Sequence, residues 1–412
     1  MATQSYWVET LGCPKNEVDS EKLIGKLEAD GYVAAASAGD ADVVVVNTCA
    51  FIDAARQESV DTVIQLGEVK RADARLVVTG CMAERYGSEL ADALPEVDQV
   101  AGFGVPIALG RKPDVPSFDL LNLPRPRSPR PWAYVKVAEG CDRNCGFCAI
   151  PSFRGKQRSR TRDSILEEVD ALQAKEIVLV AQDLASYGND IGERRSIIPL
   201  VEEVAACVER VRLLYLYPSD LTDGLIDVIG ATGVPYYDLS LQHSSAPLLK
   251  RMRRWGNGDK FLARIDDIRR RYADATIRSN FIVGYPGETE ADHDDLLRFM
   301  EAAQFDWVGL FAYSREEGTF ADTQDGHVDA PLIKQRLAEA NELQDGITRA
   351  RRAAHVGSAH VVLVDEPGVG RSHREAPEID GVVRVPADLP VGTFQTVTVT
   401  GVEGVDLEAV AS

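Results

Sequence analysis

No run of apolar residues in this 412-residue chain approaches the roughly 20 needed to cross a bilayer, and apolar runs such as VVVV at 43–46 are strand-length. The opening MATQSYWVET lacks the pattern of a secretory leader, so a reduced, cytoplasmic setting without disulfides is expected. Positive charge is also scarce. The chain has 45 Lys and Arg against 65 Asp and Glu, a formal net charge of −20. A protein that grips nucleic acid needs a basic footprint for the phosphates, so the balance points away from that class. Cysteine is sparse too, with seven residues, but their placement is not scattered.

Cys141, Cys145 and Cys148 lie in EGCDRNCGFC with the spacing C-x-x-x-C-x-x-C. Three thiolates this close can hold three corners of a cubane iron–sulfur cluster and leave one iron open to bind a substrate. The other reading is a structural zinc site, which needs four ligands and usually C-x-x-C pairs. No further Cys or His occurs in the next twenty residues, which disfavours zinc.

Cys13, Cys49 and Cys81 close the segments SYWVETLGC, ADVVVVNTC and ARLVVTGC. Each segment reads as a buried parallel strand followed by a helix. The carboxyl ends of parallel strands gather at one edge of a sheet, where α/β proteins build their sites. These three cysteines can therefore converge on a second cluster. Alternatively they are ordinary core cysteines, since free Cys is among the most buried residue types. Cys207, on a predicted helix with no partner nearby, reads as a core residue.

The organisation suggests an α/β chain of two or three domains. Residues 5–105 form a first α/β unit, with helices expected near 17–30, 53–66 and 83–93. Asp19-Ser20 offers helix-start chemistry and Gly31 a stop. Seven prolines between Pro106 and Pro131 mark 106–131 as a linker. Six strand-like segments alternate with helical ones across 132–353: AYVKVAEG, EIVLVAQD, VRLLYLYP, YYDLSLQH, ATIRSNFIVGYP and WVGLFAYS. That is a partial (βα)6 barrel, with its site expected at the strands' carboxyl ends. A long helix near 331–354 leads to a tail, 354–412, with strands HVVLVDE, GVVRVP and FQTVTVTGV, read as a small β-barrel.

The cysteine spacing after a strand resembles the signature of radical S-adenosylmethionine enzymes. LGCPKNEVDSE, NTCAFID and TGCMAERY resemble the amino-terminal domain of the methylthiotransferases, a subgroup with two clusters. The likeness continues through CDRNCGFCAIPSFRGKQRSR, VAQDLASYG, LSLQHSS, RSNFIVGYPGETEAD, YSREEGT and REAPEIDG, nearly the whole chain. It implies a TRAM domain for the tail and two oxygen-sensitive 4Fe-4S clusters, on Cys13, Cys49 and Cys81 and on Cys141, Cys145 and Cys148. The second of these triplets would be catalytic, binding S-adenosyl-L-methionine and cleaving it reductively to a radical that abstracts hydrogen from an unactivated carbon. The first would provide or hold the sulfur, with a methyl group from another S-adenosylmethionine. The resemblance places Gln182 and Asp183 beside the cofactor. Phe147 could pack on the adenine or simply on its own loop. Gly284, with Pro286 and Gly287, could let the backbone pass close to the cofactor or form a plain turn. An electron donor such as flavodoxin or ferredoxin is implied.

Members of the family modify either tRNA or a protein. From Ala354 onward nine acidic residues face three Arg, a sign that repels phosphate and attracts a basic protein. Asp365, Glu366, Glu375 and Glu378 are expected to carry that attraction. LGCPKN and APEIDG resemble the protein-acting members of the family, and the resemblance implies a methylthiotransferase acting on the β-carbon of an aspartate in small-subunit ribosomal protein S-twelve. The alternatives are a tRNA-adenosine methylthiotransferase and, more distantly, a non-enzymatic iron–sulfur carrier. The basic runs at 125–130, 154–162 and 250–254 read as solvated loop charge, or as groups that orient the target aspartate or touch ribosomal RNA.

Overall fold

A computed structural model describes residues 4–102 and 120–412, so the first part of the expected linker lies outside the described residues. The amino-terminal unit runs β1 (Ser5–Thr10), α1 (Pro14–Ala29), β2 (Val33–Ala34), β3 (Val43–Thr48), α2 (Asp53–Val69), β4 (Arg75–Gly80), α3 (Cys81–Ala93) and β5 (Gln99–Ala101). Its sheet is parallel throughout, in the order β2-β1-β3-β4-β5. All six residues of β3 are buried because helices cover both faces. Val44 and Val46 pack with Leu76 and Val78 on one side, Val43 and Val45 with Leu23 and Leu27 on the other. Asp19 and Ser20 do not start α1. The helix begins at Pro14, whose fixed φ suits a first turn, and both residues turn inward instead, Ser20 accepting hydrogen bonds from Thr10 and Asn47.

The central unit contains β6 (Trp132–Lys136), β7 (Ala138–Glu139), α4 (Ile150–Arg154), β8 (Arg158–Ser159), α5 (Arg162–Leu172), β9 (Glu176–Val180), α6 (Ile197–Ala205), β10 (Arg210–Leu213), α7 (Asp223–Ala231), β11 (Tyr236–Gln242), α8 (Ala246–Arg251), α9 (Gly258–Arg271), β12 (Thr276–Val283), α10 (Glu290–Ala303) and β13 (Trp307–Ala312). The six long strands lie side by side in sequence order, as the partial barrel requires. They form two three-stranded sheets joined by one bridge, Leu216 to Leu239. Tyr215, at φ 66°, kinks the chain between β10 and that bridge.

Helix α11 (Ala330–Ala353) leads into a closed barrel of β14 (Ala359–Glu366), β15 (Val369–Arg371), β16 (Val383–Arg384), β17 (Phe394–Glu403) and β18 (Asp406–Ala411), in the order β14-β15-β16-β18-β17. The segment between β15 and β16, carrying REAPEIDG, enters the amino-terminal end of the central barrel. Arg371 and Arg212 both bind Glu176, at 3.2 and 2.8 Å. Tyr134 donates to the Pro377 carbonyl and Trp307 to that of Arg374. Tyr236 donates to Asp380 at 2.5 Å. The segment is the floor of the barrel.

Several expectations about charge and burial need correction. Glu375 is buried and paired with Arg352, Asp365 binds Arg371 at 2.6 Å, and Glu378 binds Arg130 and Tyr134. Of the four acids expected to face a partner, three have internal partners; Glu366 is exposed. The basic runs are likewise mostly structural rather than solvated. Arg125 pairs with Glu21 and Glu168, Arg160 with Glu168, and Arg154 is buried. Cys207 is exposed just past α6, not in the core.

Glu176→Ala leaves Arg212 and Arg371 without their shared carboxylate. Breaking a buried pair from one side costs about 3–5 kcal/mol, so urea unfolding followed by Trp132 and Trp307 fluorescence should show a much lower midpoint. Burial opposes ionisation of Glu176, but Arg371 and Arg212 outweigh it and lower its pKa from 4.5 to about 2. Its stabilisation is therefore complete above about pH 4.5 and lost as pH falls toward 2. An unfolding midpoint equal to the parent's would show that the Glu176 pairs contribute nothing to stability.

Candidate active site

Each cysteine of the first triplet is delivered by the end of a parallel strand. Cys13 caps α1 directly after β1, Cys49 follows β3, and Cys81 begins α3 directly after β4. Two glycines make the approach possible. Gly12 has φ +98°, and a Cβ there would come within 2.8 Å of the Cys49 Cβ; at Gly80, φ +92°, a Cβ would collide with the Asn47 side-chain oxygen and the Thr48 backbone. Ser59 clamps Cys49 by accepting from its N–H at 3.0 Å and donating to its carbonyl at 3.1 Å. The thiols are close enough to influence one another. Burial first, then the charges of Cys13 and Cys81, push Cys49 up to about 11. Burial also opposes ionisation of Cys13, but Lys15 and Arg154 overcome it and lower its pKa.

The second triplet occupies the loop after β6 and β7. Cys141 N–H donates to the Gly155 carbonyl, and Cys148 N–H to that of Cys145. Arg254 donates to Cys145 Sγ at 3.3 Å, and the Arg143 backbone N–H to Cys141 Sγ at 3.4 Å. Burial raises Cys141 to about 11 and Cys148 to about 12. Arg143 is held by Asp183 at 2.6 Å and by Asp220, and it stacks 4.0 Å over Tyr217. Phe147 is partly buried against the barrel's outer core. Gly284 has φ +85°, and a Cβ there would collide with Ile333 of α11, so packing already requires a glycine.

Arg154, missed by sequence reasoning as one more loop charge, links the first triplet to the barrel. It is buried, donates to Cys81 Sγ at 3.0 and 3.3 Å and to Asn16 at 2.5 Å, and binds Glu139 at 2.9 Å and Asp19 at 3.3 Å. Lys136 joins the same acids, and Gln182 donates to Glu139 at 2.6 Å. One side chain thus touches a first-triplet cysteine and the acid that orients Gln182. The only available signal was its position, six residues past Cys148 and beside the apolar Phe153.

These residues suit the groups the cysteines suggest. Among the described residues, no three His, Cys, Asp or Glu side chains gather as for a single ion, whereas a cubane spreads its thiolates over separate irons. Guanidinium groups on Cys81 and Cys145 are the donors that stabilise thiolate sulfur. At the end of β9, Gln182 Oε1 and Asp183 Oδ1 are buried acceptors without a hydrogen-bond partner. A bound ammonium or ribose hydroxyl group would satisfy them.

Comparison with known proteins matches the order of the three units. Residues 5–102 match the Uncharacterized protein family UPF0004, 135–300 the Radical SAM superfamily, and 356–411 the TRAM domain. A protein of Streptomyces coelicolor named ribosomal protein uS12 methylthiotransferase RimO is 42% identical over 97% of this chain and 95% of its own length. One of the same name from Moorella thermoacetica is 42% identical over 95% of this chain and 96% of its own. This chain belongs to the uS12 methylthiotransferase family. The fold is shared more widely: a radical S-adenosylmethionine methyltransferase from Kitasatospora setae superposes with a TM-score of 0.51 over 76% of each chain at 13% identity. As a methylthiotransferase-family chain, it is a radical S-adenosylmethionine transferase of the two-domain-plus-TRAM kind expected from sequence. Among the described residues, no helix is long and apolar enough to cross a membrane.

The electrostatics predict how the thiols react in metal-free protein. Alkylation by iodoacetamide, mapped to each cysteine by mass spectrometry, should rise at lower pH for Cys13 than for Cys49, because the thiolate is the nucleophile. Lys15→Met should move the Cys13 profile to higher pH, since a cation that favours the thiolate is gone. Superimposable profiles for Cys13 in the two proteins would show that Lys15 does not act on it.

Proposed function

We propose that this chain methylthiolates the β-carbon of an aspartate in ribosomal protein uS12, the S-twelve protein of the small subunit. The observation that carries the reading is the first triplet, Cys13, Cys49 and Cys81, facing the barrel and joined to it by Arg154. One triplet serves radical chemistry in general; a further three-thiol site on its own domain is what sulfur insertion requires. In this reading Cys141, Cys145 and Cys148 hold a catalytic 4Fe-4S cluster, and Cys13, Cys49 and Cys81 hold an auxiliary one. The domains divide near 5–105, 132–353 and 354–412, and the protein works in the cytoplasm with a flavodoxin or ferredoxin as electron donor.

With its cluster bound, S-adenosyl-L-methionine supplies homolytic chemistry at a carbon that no acid or base could deprotonate. The chain's residues bind and orient. Gln182 and Asp183 offer their free acceptors to the cofactor, with Asp183 fixed by Arg143 and Ser186. Glu139, held between Lys136 and Arg154, keeps the Gln182 amide turned. Arg254 and Arg154 donate to cysteine sulfurs of the two triplets. Phe147 and Gly284 stand on loops that would lie beside the bound cofactor.

The substrate reading rests on relatedness and on charge. The chain is 42% identical to proteins named for uS12, and its formal net charge is −20. Arg125, Arg154 and Arg160 are engaged in internal ion pairs and so are not an outward phosphate-binding strip of the kind tRNA demands.

Anaerobically reconstituted protein should add a methylthio group to uS12 and leave tRNA unmodified, as read by mass spectrometry of both substrates offered together. Modification of tRNA alone would reverse the assignment. Replacing Cys141, Cys145 or Cys148 with Ala should abolish 5′-deoxyadenosine formation. Replacing Cys13, Cys49 or Cys81 should instead remove about one cubane of iron, by three-thiolate ligand arithmetic, and stop product while cofactor cleavage continues. Full iron and full product in those variants would return the three cysteines to the core.

A further inference from the structure

Lys15 is a cation to which the protein gives no carboxylate. It lies in the first turn of α1, two residues after Cys13, and reaches across to the barrel, with Nζ 3.5 Å from the ring centroid of Tyr215. Tyr215 is held by the kink beyond β10 and by its N–H, which donates to Asp238 at 2.9 Å. Every other cation named around the two triplets has a defined partner. Lys136 binds Asp19 and Glu139; Arg154 binds Glu139 and Asp19; Arg143 binds Asp183 and Asp220; Arg278 binds Asp238; Arg254 donates to Cys145 and to the Ser240 carbonyl. Among the described residues, no carboxylate lies within ion-pair distance of Lys15.

The surroundings are the carboxyl-end mouth of the barrel. Lys15 is partly exposed, and so are Tyr215, Gln182, Ser240, Gln242 and Asn280 at the carboxyl ends of the barrel strands. Deeper residues of the same strands, such as Tyr134, Tyr236 and Arg212, are fully buried on the floor segment. The accessible space therefore sits at the top of the barrel, under the amino-terminal sheet edge. A cation–π contact alone could simply anchor one domain to the other. It leaves the ammonium group of Lys15 without a carboxylate partner, next to a repelling Arg154. A carboxylate entering from the substrate would resolve that imbalance through charge-assisted hydrogen bonds.

We propose that Lys15 binds the side-chain carboxylate of the aspartate being modified and so selects aspartate over its uncharged analogue. The inference rests on the uS12 reading above. A carboxylate held by the ammonium group would keep the adjacent β-carbon between the two triplets. Asparagine, of the same shape, lacks the charge and cannot repay the desolvation of the lysine.

The test is equilibrium binding of reconstituted, full-length enzyme to uS12 with its native target aspartate and to uS12 with that residue changed to Asn. The parent should prefer the aspartate form by about tenfold or more, as loss of one charge-assisted contact implies. Lys15→Met should bind both forms equally, and Lys15→Arg should recover part of the preference. Iron content is measured in parallel and should match the parent in both variants. Loss of iron in Lys15→Met would assign the residue to the auxiliary triplet and overturn the proposal. So would an undiminished preference in that variant, or no preference in the parent. If the parent instead neither binds nor modifies native uS12, the functional reading itself fails, which is a separate result from a modifying parent whose preference ignores Lys15.

Discussion

Arg154 is the interaction on which the rest of this architecture depends. A guanidinium buried between two domains is costly unless nearly all its donors are met, and here they are met by a thiol, an amide and two carboxylates from both sides of the seam. That satisfaction fixes the angle at which the amino-terminal sheet edge faces the barrel mouth. It also puts one positive charge on a cysteine of the first triplet and on the acid that steers Gln182. Arginine suits this better than lysine, because its planar fork can serve several acceptors in one fixed plane. The same geometry makes the seam specific: a slip of either domain would leave Asp19 or Glu139 buried without a partner.

A second charged lattice closes the opposite end of the barrel. Glu176 lies at the start of β9, fully buried, between Arg212 of the neighbouring strand and Arg371 of the tail. Arg352 and Glu375 tie α11 to the same segment. The TRAM unit is thus not a bead on a string. Its REAPEIDG segment is the barrel's floor, and Arg278, which binds both Asp238 within the barrel and Asp380 on the floor, connects that floor to the wall beside Tyr215. The tail and the barrel mouth are thus joined by a continuous run of paired charges.

Much of this was legible in the chain and the remainder was not, for physical reasons. The six barrel strands and the three sheet strands were readable because each is a short apolar run ending at a turn or a functional loop. β3, VVVVNT, is the extreme case, and all its residues are indeed interior. The cysteine triplets were readable from spacing and from their repeated place at strand ends. What could not be read was pairing. Charges at 125, 154, 160, 365, 375 and 378 looked like solvent-facing residues because composition counts charge without its partner. Their partners are far away in sequence: Arg130 meets Glu378 across 248 positions and Arg371 meets Glu176 across 195. β15 and β18 went unseen because VGR and DLEAVA carry too little apolar pattern to announce a strand, and only closure of the small barrel makes them one. Asp19 and Ser20 were mistaken for a cap because their local chemistry fits one, while Pro14 had already set the helix.

The acidity of the chain therefore has two distinct meanings. Internally, acids hold a set of buried arginines and lysines that position the two triplets and the floor, and they contribute nothing to the outer field at close range. The surplus beyond those pairs is what a partner meets, and it gives the net charge of −20. That surplus favours a basic protein over a phosphate backbone at long range. At short range the sign inverts: the barrel mouth under the sheet edge presents Lys15 beside Tyr215, with Arg154 nearby. A basic protein that carries one acidic side chain to the modified position fits both fields, the negative exterior drawing in the body and the positive interior receiving the single carboxylate. A nucleic acid fits neither, since its phosphates are repelled outside and its bases bring no anion to the lysine.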